Sequence, residues 1–366
     1  MDYGKVLKRA WQILWSYRTL WVFGIILALT TASGGGGGGG SGARFGGGDQ
    51  GGSAITPPQE IERELEAFAE NLSQLFESAT PDRAMGWIIT AAIVAGVLLL
   101  LWIVVSIIAR YVSEVALIRM VDDYETTEER KSVRQGFRLG WSRRAWRLFL
   151  IGLVVVLPLL VAFGLLFALA LAPLLLWTTG ETSIGIFGTV ATIGLFFLIL
   201  FIAIVVGTVA KVLLDFAWRA CALEDLGVRA SIRRGFALIK ANWKSVGLMW
   251  LIMFGIGLGF SLVMIPLVLL VLAIGGVLGG LVLLIVRGLA GLLFADPGAW
   301  IAGGVSGGLV FLGVMMVPLI FVGGLYQTYV STTWTLTYRE IVALEPAKAE
   351  SAAELPPAIE ASAEEV

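Results

Sequence analysis

Residues 246–286 carry no charged side chain, and that run sets the terms for the whole chain. As one helix it would be about 60 Å long, twice the roughly 30 Å thickness of a bilayer's hydrocarbon. It must therefore break or tilt strongly. Pro266 and the pairs Gly275-Gly276 and Gly279-Gly280 mark candidate breaks. The expected outcome is a span over 246–272, then a re-entrant or interfacial piece around 281–294 that carries Arg287.

Other apolar runs lie at 87–109, 148–176, 184–210 and 300–322, with a short one at 20–32. The 366 residues are 58% hydrophobic and only 14% charged, whereas soluble domains are about 25% charged. Runs of this length predict a polytopic membrane protein with six spans. The cores of these spans hold no Asp, Glu, Lys or Arg. Ion-coupled carriers commonly place such residues near the midplane, so their absence argues against that class.

A repeat organises the runs. The segment RKSVRQGFRL at 130–139 recurs at 229–238 as RASIRRGFAL, with six of ten positions identical. Each copy is a basic amphipathic helix that leads into an apolar run. In the first, Val133, Phe137 and Trp141 share one face and Arg130, Arg134 and Arg138 another. In the second, Ile232, Phe236, Ile239 and Trp243 form the apolar stripe, with Arg229 and Arg233 beside it. Thr126 and Glu129 have the spacing of a capping box at the start of the first copy. The N-terminal residues 2–16 follow the same plan, with Val6, Leu7, Ala10, Trp11 and Leu14 opposite Lys5, Lys8 and Arg9. The expected fold is thus an all-α integral membrane helical bundle. It has three pseudo-repeats, near 1–124, 125–225 and 226–344, each a basic interfacial helix plus a helical hairpin.

Two segments stand apart from this single membrane domain. Residues 33–53 are expected to be an extracytoplasmic Gly-rich linker, followed at 57–80 by an acidic helix with Ile61, Leu65, Phe68, Leu72, Leu75 and Phe76 on one stripe. Residues 345–366 are rich in Ala, Glu, Pro and Ser, and read as a disordered acidic tail. With both termini cytoplasmic, only Arg44, Arg63, Arg83 and Arg287 of the 26 cations lie outside. That is the orientation the positive-inside rule expects at a plasma membrane.

The chain has no histidine, which removes His metal sites, His general bases and the common nucleophile pairs. Its one cysteine, Cys221, cannot form an internal disulfide. No catalytic, metal or cofactor constellation is expected, and no enzyme. The expected lipid-interface residues are Lys5, Lys8, Arg9, Trp11, Arg130, Arg134, Phe137, Trp141, Arg229, Arg233, Phe236 and Trp243. Cations beside Trp and Phe next to a span suit anionic inner-leaflet headgroups better than nucleic acid.

Two pairs at the ends of spans follow the repeat as well. Arg110 and Glu114 are four residues apart, as are Lys211 and Asp215. Such spacing allows intrahelical ion pairs at the bilayer edge; alternatively, the two carboxylates line a cavity. The third repeat has Tyr326 and Gln327 in the corresponding region, which rules out a symmetric three-carboxylate site. The hydroxyl-rich residues 331–335 are expected to join helices through hydrogen bonds. Four overlapping small-xxx-small patterns, Gly275/Gly279, Gly276/Gly280, Gly303/Gly307 and Gly304/Gly308, predict close helix packing within the chain.

The N-terminal segment YGKVLKRAWQILWSYRTLWVFGI, together with the two Arg-x-Gly-Phe elbows, resembles uncharacterised bacterial membrane proteins similar to the membrane domain of some glycerophosphodiester phosphodiesterases. The resemblance implies a membrane fold. The phosphodiester chemistry is not expected to come with it, since no stretch of these 366 residues reads as a catalytic domain and none is histidine. The expected role is a non-enzymatic membrane module that organises lipid or a membrane-protein partner. The alternative is a transporter or channel for a small or lipid-like solute.

Overall fold

The computed structural model of the chain describes residues 1–33, 81–179, 181–292 and 296–353. The expected acidic helix at 57–80, and the Gly-rich linker beyond Ser33, lie outside the described residues. Among the described residues the chain is entirely helical, with nine α-helices, one 3-10 segment and no strand.

The N-terminal helix α1 (Tyr3–Ser16) begins where the Asp2 side chain accepts from the Lys5 backbone N–H at 3.0 Å. It ends at Tyr17, and α2 (Thr19–Ser33) leaves at 100° to it. The long helix α3 (Pro81–Thr127) stops at Glu128, whose φ of 55° is the left-handed geometry that closes helices. The short helix α4 (Val133–Gly140) opens with a capping box in which Ser132 and Gln135 exchange side-chain bonds with each other's backbone. The sequence spacing had pointed to Thr126 and Glu129. Thr126 instead bonds back to carbonyls within α3, which runs on through it.

The helix α5 (Arg143–Ala170) passes into a 3-10 segment, Ala172–Thr179. Next, α6 (Thr182–Leu223) ends in a turn where Asp225 has φ 54°. The amphipathic α7 (Val228–Ala241) follows, and Asn242 separates it from α8 (Trp243–Ala290). The last helix, α9, spans Asp296–Ala353.

Two sequence expectations are overturned. Helix α8 does not break at 275–280, and the stretch from 281 to Ala290, expected to be part of a separate piece, belongs to the same continuous helix, which runs through Pro266. Leaving the helix in an apolar surrounding would strand backbone donors and acceptors, and neighbouring groups can absorb one proline. Residues 345–353, expected to be the start of the disordered tail, continue α9. Ala, Glu and Lys favour helix, and Glu345 is held by Arg234 at 2.7 Å. Residues 354–366 lie outside the described residues.

Five helices are long and apolar enough to cross a membrane, and a sixth span is present if the bent pair α1–α2 counts as one. Their exposed surface is largely leucine, isoleucine, valine and phenylalanine. Residues 92–105 of α3 are exposed on every side, Leu98, Leu100 and Trp102 among them. Soluble proteins do not leave contiguous apolar surface of this extent in water, so this is a membrane protein.

The chain divides into two compact units. The first comprises Met1–Gly39, Ile108–Gly259 and Phe321–Val366. Its core joins Ile13, Tyr17, Leu20 and Phe23 to Leu117, Met120, Phe216, Leu238, Met249, Trp334 and Tyr338. Ion pairs tie its helices together at one end: Arg9 to Glu125 at 2.7 Å, Arg234 to Glu224 and Glu345, and Arg339 to Asp122. A close approach of backbones is built in where α2 meets α9. A Cβ at Gly24 would lie 1.9 Å from the Thr328 hydroxyl and 2.3 Å from the Gly324 carbonyl.

The second unit comprises Gly40–Ile107 and Phe260–Ile320, and in the latter stretch α8 and α9 pack as a hairpin. Here Gly279 faces Gly307 across the helix contact: a Cβ on either would come within 2.8 Å of the other's carbonyl oxygen. Gly303 meets the Leu283 carbonyl, whereas Gly276, Gly280, Gly304 and Gly308 look into open space. Only two of the four small-xxx-small patterns are thus in use. Arg287 ends up over the Trp300 ring, 3.5 Å from its centroid.

Candidate functional site

The charged residues at the ends of the apolar stretches converge. Within the first unit, α2, α3, α6 and α9 surround a cavity of about 60 Å³. Helix α3 contributes Arg110, Tyr111 and Glu114; α6 contributes Lys211, Asp215, Trp218 and Arg219; α9 contributes Tyr326, Gln327, Ser331 and Trp334. Helical periodicity accounts for each set. Lys211, Asp215 and Arg219 stand at i, i+4 and i+8, one stripe of one helix, as do Gln327 and Ser331.

Among the described residues Arg219 is the most deeply buried cation, with 1% of its surface exposed. A buried charge must be paired and hydrogen-bonded to persist. Its Nη1 donates to the Asp215 carbonyl at 2.6 Å and lies 3.5 Å from the Asp215 carboxylate. Its Nη2 donates to the Ser331 carbonyl of α9 at 3.1 Å. The Ser331 hydroxyl in turn donates to Glu114 of α3 at 3.1 Å. One serine thereby links the cation of α6 to the acid of α3. Two donors in the same wall, Arg219 Nε and Trp218 Nε1, are buried without a partner.

The residues expected from sequence fall into two groups. Arg110, Glu114, Lys211 and Asp215 all line this one cavity, so the two acids sit in a shared site rather than only along two helix edges. Tyr326 and Gln327, which replace the acid in the last third, complete the same wall. The hydroxyl-rich stretch behaves differently from the expectation. Thr333, Thr335 and Thr337 bond to carbonyls four residues back on their own helix, and Ser331 alone among them reaches across to another helix through its side chain.

The second group lies on the three elbows. Lys5, Lys8, Trp11, Arg130, Arg134, Phe137, Trp141, Arg229, Arg233, Phe236 and Trp243 are exposed. Arg9 is engaged with Glu125. On each elbow a small residue just before an aromatic is buried, namely Ala10, Gly136 and Gly235. Gly136 packs on Phe23 and Met120, and Gly235 on Ala217. Trp11 and Phe236, which follow Ala10 and Gly235, are exposed, while the Phe137 ring lies 5.0 Å from that of the buried Phe23.

The turn after α6 has its own clamp. Asp225 accepts from Arg144 Nε and Nη2, both at 3.0 Å, and from Arg147 at 3.1 Å. The Arg144 guanidinium holds the Asp225 carboxyl below the usual aspartate range. Glu345 and Glu224 push the Arg234 guanidinium still higher than an ordinary arginine. Among the described residues no three acids, cysteines or histidines gather as metal ligands would.

Sequence reasoning did not single out Trp218 or Tyr111 as site residues. The signal available was the extension of the 211–215 stripe to Arg219, which places Trp218 one residue away. Nothing local in the sequence shows which helix that stripe faces.

A family model matches residues 5–337, which covers the cavity and all three elbows. The chain belongs to DUF7544, a family of unknown function. Comparisons with curated proteins and with solved structures found no match. The family match carries no mention of the glycerophosphodiester phosphodiesterases expected from the N-terminal segment.

Proposed function

We propose that this chain is a multi-pass, non-enzymatic membrane module whose three basic elbows engage anionic lipid at the cytoplasmic face of the plasma membrane. Both termini are then cytoplasmic, and each elbow with its following helices is one of three related rounds. The observation that carries the reading is the exposure of Trp141 (72%) and Trp243 (65%) where each elbow hands over to a long apolar helix. Exposed Arg130, Arg134, Arg229 and Arg233 lie on the same elbows. An indole beside guanidinium groups at the end of an apolar span suits the boundary between acyl chains and headgroups. A partner membrane protein is a further occupant of that face. The likeness of the N-terminal segment to a membrane domain accords with this role.

The test is lipid enrichment. The full chain is reconstituted in nanodiscs of mixed zwitterionic and anionic lipid, and the co-purified lipids are quantified by mass spectrometry. Anionic lipid is expected to be enriched, and the enrichment to fall when Arg130, Arg134, Arg229 and Arg233 are changed to Gln. Equal lipid composition for wild type and variant would sink the reading.

The alternative is a carrier for a small solute. It draws on the charged cavity of about 60 Å³.

A further inference from the structure

We infer that the cavity beside Arg219 is a binding site for a phosphate-type oxyanion, either free or as the headgroup of a lipid. This site is separate from the elbows and stands whether or not they bind lipid.

The chemistry of the unmet groups decides the ligand. Arg219 Nε and the Trp218 indole N–H are both buried without a partner. Both are donors that cannot accept, so each calls for an acceptor that the chain does not bring to it. Buried polar groups are nearly always satisfied, and an unmade bond of this kind is costly. The rest of the lining carries both signs, with cations in excess. Lys211 and Arg110 add two cations, and Asp215 is already engaged by Arg219. Glu114 takes the Ser331 hydroxyl on one oxygen. Three cations against two acids leave the site one positive charge in excess when all are ionised.

Size narrows the choice. A water requires about 10–15 Å³ of such space, so a cavity of about 60 Å³ accommodates about four. Four oxygens at tetrahedral separation fill the same room. A bulky organic anion does not fit as a whole, but a phosphate group can enter with its substituents directed outward. Guanidinium and ammonium groups together are the usual donors to phosphate.

The probes are inorganic phosphate and short-chain phosphatidic acid, with the matching diacylglycerol as the phosphate-free control. The delipidated full chain in maltoside micelles is titrated with each, with radiolabel retention as the readout. Two variants are compared: Trp218→Phe, which deletes the N–H and keeps most of the ring, and Lys211→Gln, at a half-buried position. Losing one hydrogen bond to a charged ligand weakens binding about tenfold or more. Competition between phosphate and phosphatidic acid, with both weakened in each variant, supports a site open to the free anion. Binding of phosphatidic acid alone, likewise weakened, supports a headgroup site. If wild type retains neither probe, or if folded Lys211→Gln binds as wild type does, the site does not exist and water serves the two donors. Should Trp218→Phe fail to fold, Lys211→Gln decides.

Discussion

Ser331 on α9 donates its hydroxyl to Glu114 on α3 at 3.1 Å, although 217 residues separate them. The same residue's carbonyl accepts from Arg219 on α6. Three helices therefore share one polar junction.

Removing that hydroxyl should be felt. Ser331→Ala takes a bond from a buried carboxylate, and leaving such a group short costs about 1–3 kcal/mol. The expected result is a lower thermal midpoint for the purified chain in micelles. Thr333→Ala removes only a bond within its own helix and should change the midpoint less.

Arg219 is the stronger test of the junction. Deleting one member of a buried ion pair costs about 3–5 kcal/mol because the other is left uncompensated. Arg219→Ala should therefore destabilise severely. Adding Asp215→Asn should recover part of the loss, and a double variant no better than the single one would show that the pair is not the cause.

The glycine register makes an internally controlled prediction. Alanine at Gly279 or Gly307 drives a Cβ into the facing carbonyl at 2.8 Å or 2.5 Å. Overpacking of this kind costs about 1–3 kcal/mol. Alanine at Gly280 or Gly308 meets open space and should leave the melting temperature near wild type. The reverse ranking would mean the α8–α9 hairpin packs on its other face.

Acid should loosen the clamp at Asp225. Its carboxyl is depressed in the folded chain. The stability it supplies is therefore present above the unfolded aspartate pKa, about 3.9, and is lost as pH falls through the lower folded value. Thermal midpoints measured downward from about pH 5 should decline more steeply for wild type than for Asp225→Asn. Parallel curves would show that the clamp contributes nothing.

Orientation can be read with a reporter. A fluorescent protein fused after Val366 is expected to fluoresce in the cytoplasm, as an even number of spans requires. Labelling of the same fusion from outside intact cells would exclude the proposed topology.

The sequence alone determined the class of this protein: uncharged runs such as 246–286 are soluble only in lipid, and their placement predicts the long helices. It also located the elbows, because aromatic and basic stripes at helical spacing are local properties. The tertiary structure decided what those elements meet. Whether α8 breaks at its glycines depends on what faces them, and Gly307 with Phe311 keeps the helix close and continuous. The pairs Arg110/Glu114 and Lys211/Asp215 look in sequence like two separate helix edges. They become one cavity only because Gly24 and Gly324 let α2 and α9 approach, and because Ser331 stands across from both acids' helices. Local periodicity records the face a residue occupies on its own helix, while burial and charge pairing arise between helices that are distant in the chain.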